Sequence, residues 1–178
     1  MIVLLTRHGQ TDWNALKKVQ GRADIGLNEE GIKQARKTGL ALKNENIDLI
    51  ICSPLLRARQ TADIINENRN IPIIYDEGVI ERDFGELEGL NKEDFDFQGF
   101  WSYKKNYKYE KAENIKDFFD RVYKFLDRIK EEYKYKKVLI VSHGGISIPV
   151  NCYFNGIPED DNLLKLVLAN CEIAKYKM

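Results

Sequence analysis

The chain of 178 residues carries 28 Lys and Arg side chains against 28 Asp and Glu, so its formal net charge is zero. This length predicts one domain, residues 1–178, and zero net charge argues against nucleic acid or an anionic membrane as partner. No apolar run approaches the length of a membrane span, and the N-terminus lacks the basic-then-apolar order of a signal peptide. We therefore expect a cytoplasmic protein.

The alternation of short apolar runs with helical patterns indicates an α/β fold with a largely parallel sheet. The first run begins at Ile2 and stops at Arg7-His8-Gly9. The other predicted strands are 47–52, 71–75, 137–141, 163–169 and 172–176. Apolar residues at helical spacing predict helices after Asn28, after Ser53, over 115–133 and from Gly144 to Tyr153. Asn28 and Ser53 are the expected N-caps of the first two helices, and Pro54 is expected at the first helical position of the second.

The three cysteines (Cys52, Cys152 and Cys171) are scattered, and each lies in apolar sequence. Free buried thiols in a reducing compartment explain this pattern better than disulfides do. The chain has only two histidines and no paired-cysteine spacing, which gives a zinc site little support. We predict neither a metal site nor a cofactor.

Both histidines follow the same local pattern, in which an apolar strand is followed by a polar residue, a histidine and a glycine. The carboxyl ends of parallel strands lie at one edge of a sheet, so His8, Ser53 and His143 should meet there. Arg57 falls in the first turn of the helix after Ser53, and the helix after His143 directs free N–H groups to the same edge. Together with Arg7 these groups predict a pocket for a dianion such as phosphate.

Five stretches carry a resemblance to a known family, and they occur in family order along most of the chain. They are Leu5–Thr11 with Asn14, Gln20–Asp24, Ser53–Ala62, Glu81–Gly89 and Val141–Gly145. These stretches resemble the signature blocks of the histidine phosphatase (phosphoglycerate mutase-like) superfamily, in its small bacterial-type phosphatase branch. Two positions depart from the pattern: Ala112-Glu113-Asn114 stands where the family has Gly-Glu-Ser, and Gly26 stands where proline is expected.

The resemblance implies a three-layer α/β/α sandwich with a mostly parallel, mixed central sheet. It also implies roles for individual residues. His8 would be the nucleophile that forms a phosphohistidine, and Glu81 would be the general acid and base. The phosphate oxygens would be held by Arg7, Arg57 and His143, with Asn14 as a neutral donor. Further substrate-binding residues would be Gln20, Gly21, Arg22 and Gly144. No metal is required by this chemistry.

Phosphatases and mutases of this superfamily share that chemistry and differ in which molecule receives the phosphoryl group. The short connection between Glu81 and His143 favours a phosphatase of small phosphorylated metabolites, because the mutases carry a longer insertion there. The alternatives are a phosphoglycerate mutase and a non-catalytic phosphate-binding module. Candidate substrates are α-ribazole phosphate, phosphoserine, a sugar phosphate or a broad set. The oligomeric state stays open between monomer and homodimer.

The segment from Phe95 to Lys111 is rich in aromatic residues and lysines. Its position after Glu81 predicts that it covers the pocket, with Trp101 and Tyr103 selecting substrates. The competing interpretation is a helix pair that caps the core. Nucleic-acid binding through Tyr103–Lys111 and Tyr133–Lys137 is a weaker alternative, because glutamates are interspersed and the net charge is zero.

Overall fold

A computed structural model describes residues 1–178 as a five-stranded sheet with helices on both faces. The strands are β1 (Ile2–Arg7), β2 (Leu49–Cys52), β3 (Ile73–Tyr75), β4 (Lys137–Ser142) and β5 (Ile173–Lys177). Their order across the sheet is β3-β2-β4-β1-β5. The pairings among β1 to β4 are parallel, whereas β5 runs antiparallel to β1. The predicted mostly parallel, mixed sheet is therefore confirmed.

Six α-helices accompany the sheet. They are α1 (Asp12–Ala15), α2 (Glu29–Ala41), α3 (Leu56–Ile65), α4 (Phe97–Phe100), α5 (Ile115–Glu132) and α6 (Gly144–Asn155). None of them is long and apolar enough to span a membrane.

Alternation along β1 divides its side chains between two hydrophobic clusters. Leu4 packs with residues of α3 such as Ala62, whereas Val3 and Leu5 pack with residues of α5 and α6 such as Phe118 and Ile148. The sheet is buried on both faces, which confirms the predicted three-layer sandwich. Its central strands can therefore consist almost wholly of apolar residues.

The strand register determines which polar residues meet. Arg7 is paired with Ser142 at the carboxyl ends of β1 and β4, and Cys52 at the end of β2 is paired with Val141. The residues that follow these strands (His8, Ser53 and His143) consequently leave the sheet at one edge. Ligands of open α/β sheets bind at such an edge.

Two local predictions are wrong. Helix α3 begins at Leu56 with Leu55 as N-cap, and the side chain of Ser53 is instead 2.6 Å from the ring of His143. Residues 163–169 do not form a strand, and the edge of β1 is paired with β5. They contain a 3-10 helix (Leu163–Leu166) whose first residue is buried against the core.

All three cysteines are free. Cys52 and Cys152 are buried, as predicted, whereas Cys171 is half-buried. Burial raises the pKa of each thiol, to about 11 for Cys152 and Cys171, so the reactive thiolate is disfavoured at neutral pH.

Candidate active site

The two histidines are neighbours at the carboxyl edge of the sheet. The backbone N–H of His8 donates to the carbonyl of Ser142 (2.8 Å), which extends the pairing of β1 and β4 by one residue. The ring centroids of His8 and His143 are 5.2 Å apart with an interplanar angle of 62°. Both rings are almost fully buried. The repeated strand-end pattern thus places both imidazoles at one point.

The ring of His8 is oriented by a hydrogen bond to its own loop. Nδ1 lies 2.7 Å from the carbonyl oxygen of Gly9, an acceptor, so Nδ1 carries the proton and Nε2 keeps its lone pair. Burial lowers the pKa of His8 well below its ordinary value, and the charges of Arg57 and Arg7 lower it further. His8 is therefore a neutral imidazole with a basic Nε2, as a nucleophile requires.

Close backbone contact fixes the loop behind His8. A Cβ on Gly9 would collide with the carbonyl of Gly31 in α2, so this position accepts only glycine. The N–H of Gly9 donates to the hydroxyl of Thr61 (3.0 Å), and that hydroxyl donates to the carbonyl of Arg57 (2.7 Å). Helix α3 therefore holds both the nucleophile loop and Arg57.

Arg57 is 1% exposed and is held on three sides. Its Nη1 and Nη2 each donate to a carbonyl at 2.7 Å, those of Ala23 and Gly21, and its Nε donates to Nε2 of His8 at 3.2 Å. Burial lowers its pKa to about 10, which leaves it charged at neutral pH. The guanidinium is thus a fixed cation beside the nucleophilic nitrogen.

Arg7 is half-buried and supplies a second cation. Its Nη1 donates to the carbonyl of Leu168 (3.0 Å), whereas its buried Nε has no partner within the chain. A Cβ on Gly144 would approach the Arg7 guanidinium to 3.2 Å, so glycine at the start of α6 leaves room for this side chain.

His143 is the N-cap residue of α6, and its ring contacts Ser53. The Ser53 hydroxyl lies 2.6 Å from Nε2, while the buried Nδ1 has no partner within the chain. Burial lowers the pKa of His143 well below its ordinary value, and the charge of Arg57 acts in the same direction. Ser53 therefore orients this ring, and Nδ1 has no partner within the chain.

Glu81 is the one carboxylate of the constellation. Its two oxygens accept backbone N–H groups, from Arg82 at 2.9 Å and from Gly145 at 3.0 Å. A Cβ on Gly145 would collide with the Glu81 carboxylate, so the second glycine of α6 permits this contact. Burial raises the pKa of Glu81 even though both N–H groups and the charges of Arg57 and Arg7 oppose the rise. The side chain consequently keeps its acid form to higher pH than an ordinary glutamate does.

Asn14 belongs to the first short helix. Its Oδ1 accepts from the N–H of Thr11 (3.1 Å) and from Nδ2 of Asn170 (3.4 Å), which leaves its own Nδ2 as a donor. Asn170 also donates to the carbonyl of His8 (2.8 Å). A residue near the C-terminus therefore ties Asn14 to the nucleophile loop.

These groups surround a cavity of about 330 Å³. The predicted site residues that line it are Arg7, His8, Asn14, Gln20, Gly21, Arg57, Glu81 and Gly144. His143 lies just behind them, against the ring of His8. Arg22 does not line the cavity, because its guanidinium lies 3.6 Å from the carboxylates of Asp83 and Glu113. The position of Arg22 therefore does not favour the direct contact with substrate that the resemblance implies.

The rest of the cavity lining, here called the apolar end, is apolar apart from two lysines. It comprises Val19, Phe84, Phe97, Trp101, Leu164 and Val167, with Lys18 and Lys92. The predicted cover from residues 95–111 therefore contributes Phe97 and Trp101. Tyr103 does not line the cavity, since its ring packs on Phe119 of α5 at a centroid distance of 4.9 Å.

Elsewhere, a groove of about 520 Å³ runs along α5 and contains none of the predicted site residues. It is lined mainly by charged side chains. No group of three or more His, Cys, Asp or Glu residues could hold a metal ion.

The family model of the histidine phosphatase superfamily (branch 1) matches residues 3–178. The chain belongs to this superfamily. A Bacillus subtilis (strain 168) protein named "Uncharacterized phosphatase PhoE" is 40% identical over 98% of the chain and 90% of its own length. A 2,3-bisphosphoglycerate-dependent phosphoglycerate mutase of Methylobacterium sp. (strain 4-46) is 35% identical over 80% of the chain and 75% of its own length.

The solved structure of Bacillus stearothermophilus YhfR superposes with a TM-score of 0.87 at 29% identity, covering 98% of this chain and 89% of YhfR. Together with the phosphatase named above, the family match supports the expected hydrolase activity.

Two residues at the site were not found from the sequence. Thr61 and Asn170 act through backbone groups of the nucleophile loop, and neither residue type at its position signals such a contact. Thr61 lies one helical turn after Arg57, so the spacing in α3 could have suggested its location. No sequence pattern links Asn170 to His8.

Proposed function

We propose that this histidine phosphatase hydrolyses phosphomonoesters of small metabolites, without a metal ion, through a phosphohistidine on His8. One observation carries the proposal: Nε2 of a neutral His8 is next to the buried guanidinium of Arg57 in a cavity that also contains Glu81. Nucleophile, cation and proton donor are the three parts that the reaction needs.

In the first step Nε2 of His8 attacks the phosphorus, and the bond from phosphorus to the ester oxygen breaks. Glu81, in its carboxylic acid form, gives its proton to the leaving alkoxide, so the alcohol departs neutral. In the second step a water molecule attacks the phosphorus, the bond from phosphorus to Nε2 of His8 breaks, and the Glu81 carboxylate takes a proton from that water. Inorganic phosphate leaves, and both side chains return to their starting forms.

The charge on the transferred phosphoryl oxygens is met by donors that are already in place. Arg57 and Arg7 supply guanidinium groups, and Arg7 has an unpartnered Nε for this purpose. Asn14 supplies Nδ2. If the Ser53 hydroxyl donates to Nε2 of His143, the proton of that ring is on Nδ1, which then donates to an oxygen. Prepositioned donors in a buried site stabilise the spread charge of this transition state.

The second candidate is a phosphoglycerate mutase. The identity of 35% to a protein with that name favours it. The phosphatase relative is more similar and is matched over 90% of its length, against 75% for the mutase. A cavity of about 330 Å³ suits a small ester such as phosphoserine, a sugar phosphate or a part of α-ribazole phosphate. We therefore place hydrolysis first.

The test is release of phosphate from p-nitrophenyl phosphate in excess EDTA by the wild type and by His8→Ala. The proposal expects metal-independent hydrolysis that the substitution abolishes. A wild type that does not hydrolyse p-nitrophenyl phosphate but interconverts phosphoglycerates when primed with 2,3-bisphosphoglycerate would establish the mutase. Binding of inorganic phosphate with turnover in neither assay would establish a binding module.

A further inference from the structure

The segment that carries Glu81 has an unusual backbone. Residues 77–81 contain one 3-10 turn (Glu77–Val79) and belong to no strand, so the sheet cannot satisfy their carbonyl groups. Buried and half-buried carbonyls need donors from elsewhere. Side chains from three separate parts of the chain supply them.

The largest share comes from Arg121 on α5. Its Nη1 contacts the carbonyls of Glu77, Gly78 and Ile80 at 3.0, 3.1 and 3.0 Å. The hydroxyl of Ser142 donates to the intervening carbonyl of Val79 (2.7 Å), and Nε of Arg22 contacts that of Glu81 (3.4 Å). Five consecutive carbonyls leading to Glu81 are thus each contacted by a side-chain donor.

Glu113 completes the arrangement on the other side of Glu81. Its carboxylate accepts from Nε and Nη2 of Arg121, both at 2.9 Å, which fixes the plane of the guanidinium. Its backbone N–H donates to the carbonyl of Asp83 (3.0 Å), and its own carbonyl accepts from Nε of Arg82 (2.9 Å). The pair therefore holds the chain both before and after Glu81.

From these contacts we propose that Arg121, held by Glu113, is a positioning residue that sets where the Glu81 carboxyl meets the leaving oxygen. Arg121 is absent from the cavity lining, and its contacts with the acid segment are to the backbone carbonyls of residues 77–80. Displacement of the acid lowers the reaction rate most when the leaving alkoxide is strongly basic, because a weakly basic leaving group departs without a proton. The inference rests on the proposed acid role of Glu81.

The positioning role can be distinguished from a purely structural one by how the loss of kcat/KM depends on the basicity of the leaving group. A purely structural defect would lower kcat/KM equally on all esters. Values of kcat/KM are measured on aryl phosphates of similar size and different phenol acidity, with p-nitrophenyl phosphate and phenyl phosphate as the two ends. For Arg121→Met we expect a loss about tenfold larger on phenyl phosphate than on p-nitrophenyl phosphate. Glu81→Gln should show the same trend more steeply. Arg121→Lys keeps the charge but lacks the planar guanidinium group. Its difference in kcat/KM loss between the two esters should therefore lie between those of the wild type and Arg121→Met.

Arg128→Met is the matched control. Arg128 is also on α5 and forms an ion pair with Asp76 at the start of the same segment, but it contacts none of the carbonyls of 77–81. Its loss should be equal on the two esters. If Arg121→Met does not fold, as judged by circular dichroism, Arg121→Lys and Glu113→Gln take its place with a smaller expected trend.

The outcomes separate the two claims. A steep trend for Glu81→Gln with a flat response of the Arg121 and Glu113 variants overturns the positioning role alone. A flat response of Glu81→Gln overturns the acid role and the positioning role together. Steep trends for Glu81→Gln and Arg121→Met, together with equal losses on the two esters for Arg128→Met, support the inference.

Discussion

The two ends of the cavity are built in different ways. At the phosphate end, buried charged and polar groups follow the ends of β1, β4 and the neighbouring β2, and each has hydrogen bonds that fix its direction. At the apolar end, side chains come from α4 and the residue after it, from the 3-10 helix at Leu163–Leu166 and the residue after it, and from Val19 and Phe84. The first region depends on sheet register, and the second depends on irregular segments. We infer that the first determines the reaction and the second determines the alcohol that leaves.

Removing the nucleophile should have the largest effect. For His8→Ala we expect loss of kcat/KM by about a thousandfold or more on every ester, since no other group can form the covalent intermediate. The check is a set of chemically different esters assayed in excess EDTA. A loss confined to some esters would mean that the phosphate end does not determine the reaction by itself.

Removing the proton donor should have the next largest effect. Glu81→Gln should lower kcat/KM on an alkyl ester by about a hundredfold to a thousandfold. The free energy of unfolding, measured by thermal unfolding, should fall by only about 1 to 3 kcal/mol, because the amide keeps the size of the side chain but has one oxygen left to accept one of the two backbone N–H groups.

The pH dependence of kcat/KM follows from the same two groups. The lowered pKa of His8 keeps its neutral form as pH falls, so activity should persist below the ordinary histidine range and fall only through that lowered pKa. The raised pKa of Glu81 keeps its acid form to higher pH, and activity should decline as pH rises through it. Glu81→Gln should abolish the alkaline decline, after allowance for the ionisation of the substrate. An unchanged alkaline decline would contradict the acid role.

Changes at the apolar end should alter preference more than chemistry. Trp101 is buried in the cavity wall, whereas Tyr103 packs outside it on Phe119. We expect Trp101→Leu to change the ratio of kcat/KM between two esters with different alcohols by about tenfold, the range of one altered pocket contact. Tyr103→Leu is the control and should leave the ratio unchanged. Equal losses on all esters for Trp101→Leu would remove the distinction between the two ends.

The smallest effect concerns the support of the nucleophile loop. Thr61→Val removes the acceptor of the Gly9 N–H and should lower the free energy of unfolding by about 1 to 3 kcal/mol, with a loss of activity below tenfold. The control is Thr38→Val in α2, which removes a donor to the carbonyl of Cys171. It should reduce stability without changing kcat. Chemical denaturation and steady-state kinetics measure both.

The difference between the two ends also explains what the sequence could predict. The meeting of His8 and His143 follows from strand ends in a parallel sheet, and Arg57 follows from the helix that starts there. Glu81 was recognised only through the family resemblance, because no local periodicity distinguishes it from other glutamates. Its backbone is held by contacts such as those of Arg121, which are long-range and leave no local pattern.

The wrong predictions have a common cause. Ser53-Pro54 has the local chemistry of a helix start, but the buried ring of His143 takes the serine hydroxyl. Residues 163–169 have the composition of a strand, but they contain a 3-10 helix whose first residue, Leu163, is buried against the core. The roles of Tyr103 and Arg22 toward substrate stay predictions, and the structure places both side chains in contacts outside the cavity. In both wrong predictions a tertiary contact overrode a local preference.

The most direct test of the account is to trap the covalent intermediate. Enzyme is mixed with a ³²P-labelled ester, quenched in alkali, digested and sequenced, in wild type and in Glu81→Gln, whose second step should be slowed. The account predicts label that is stable to base and labile to acid, located on the peptide that contains His8. Turnover of the ester with no labelled protein in either form, or label on a different residue, would contradict it.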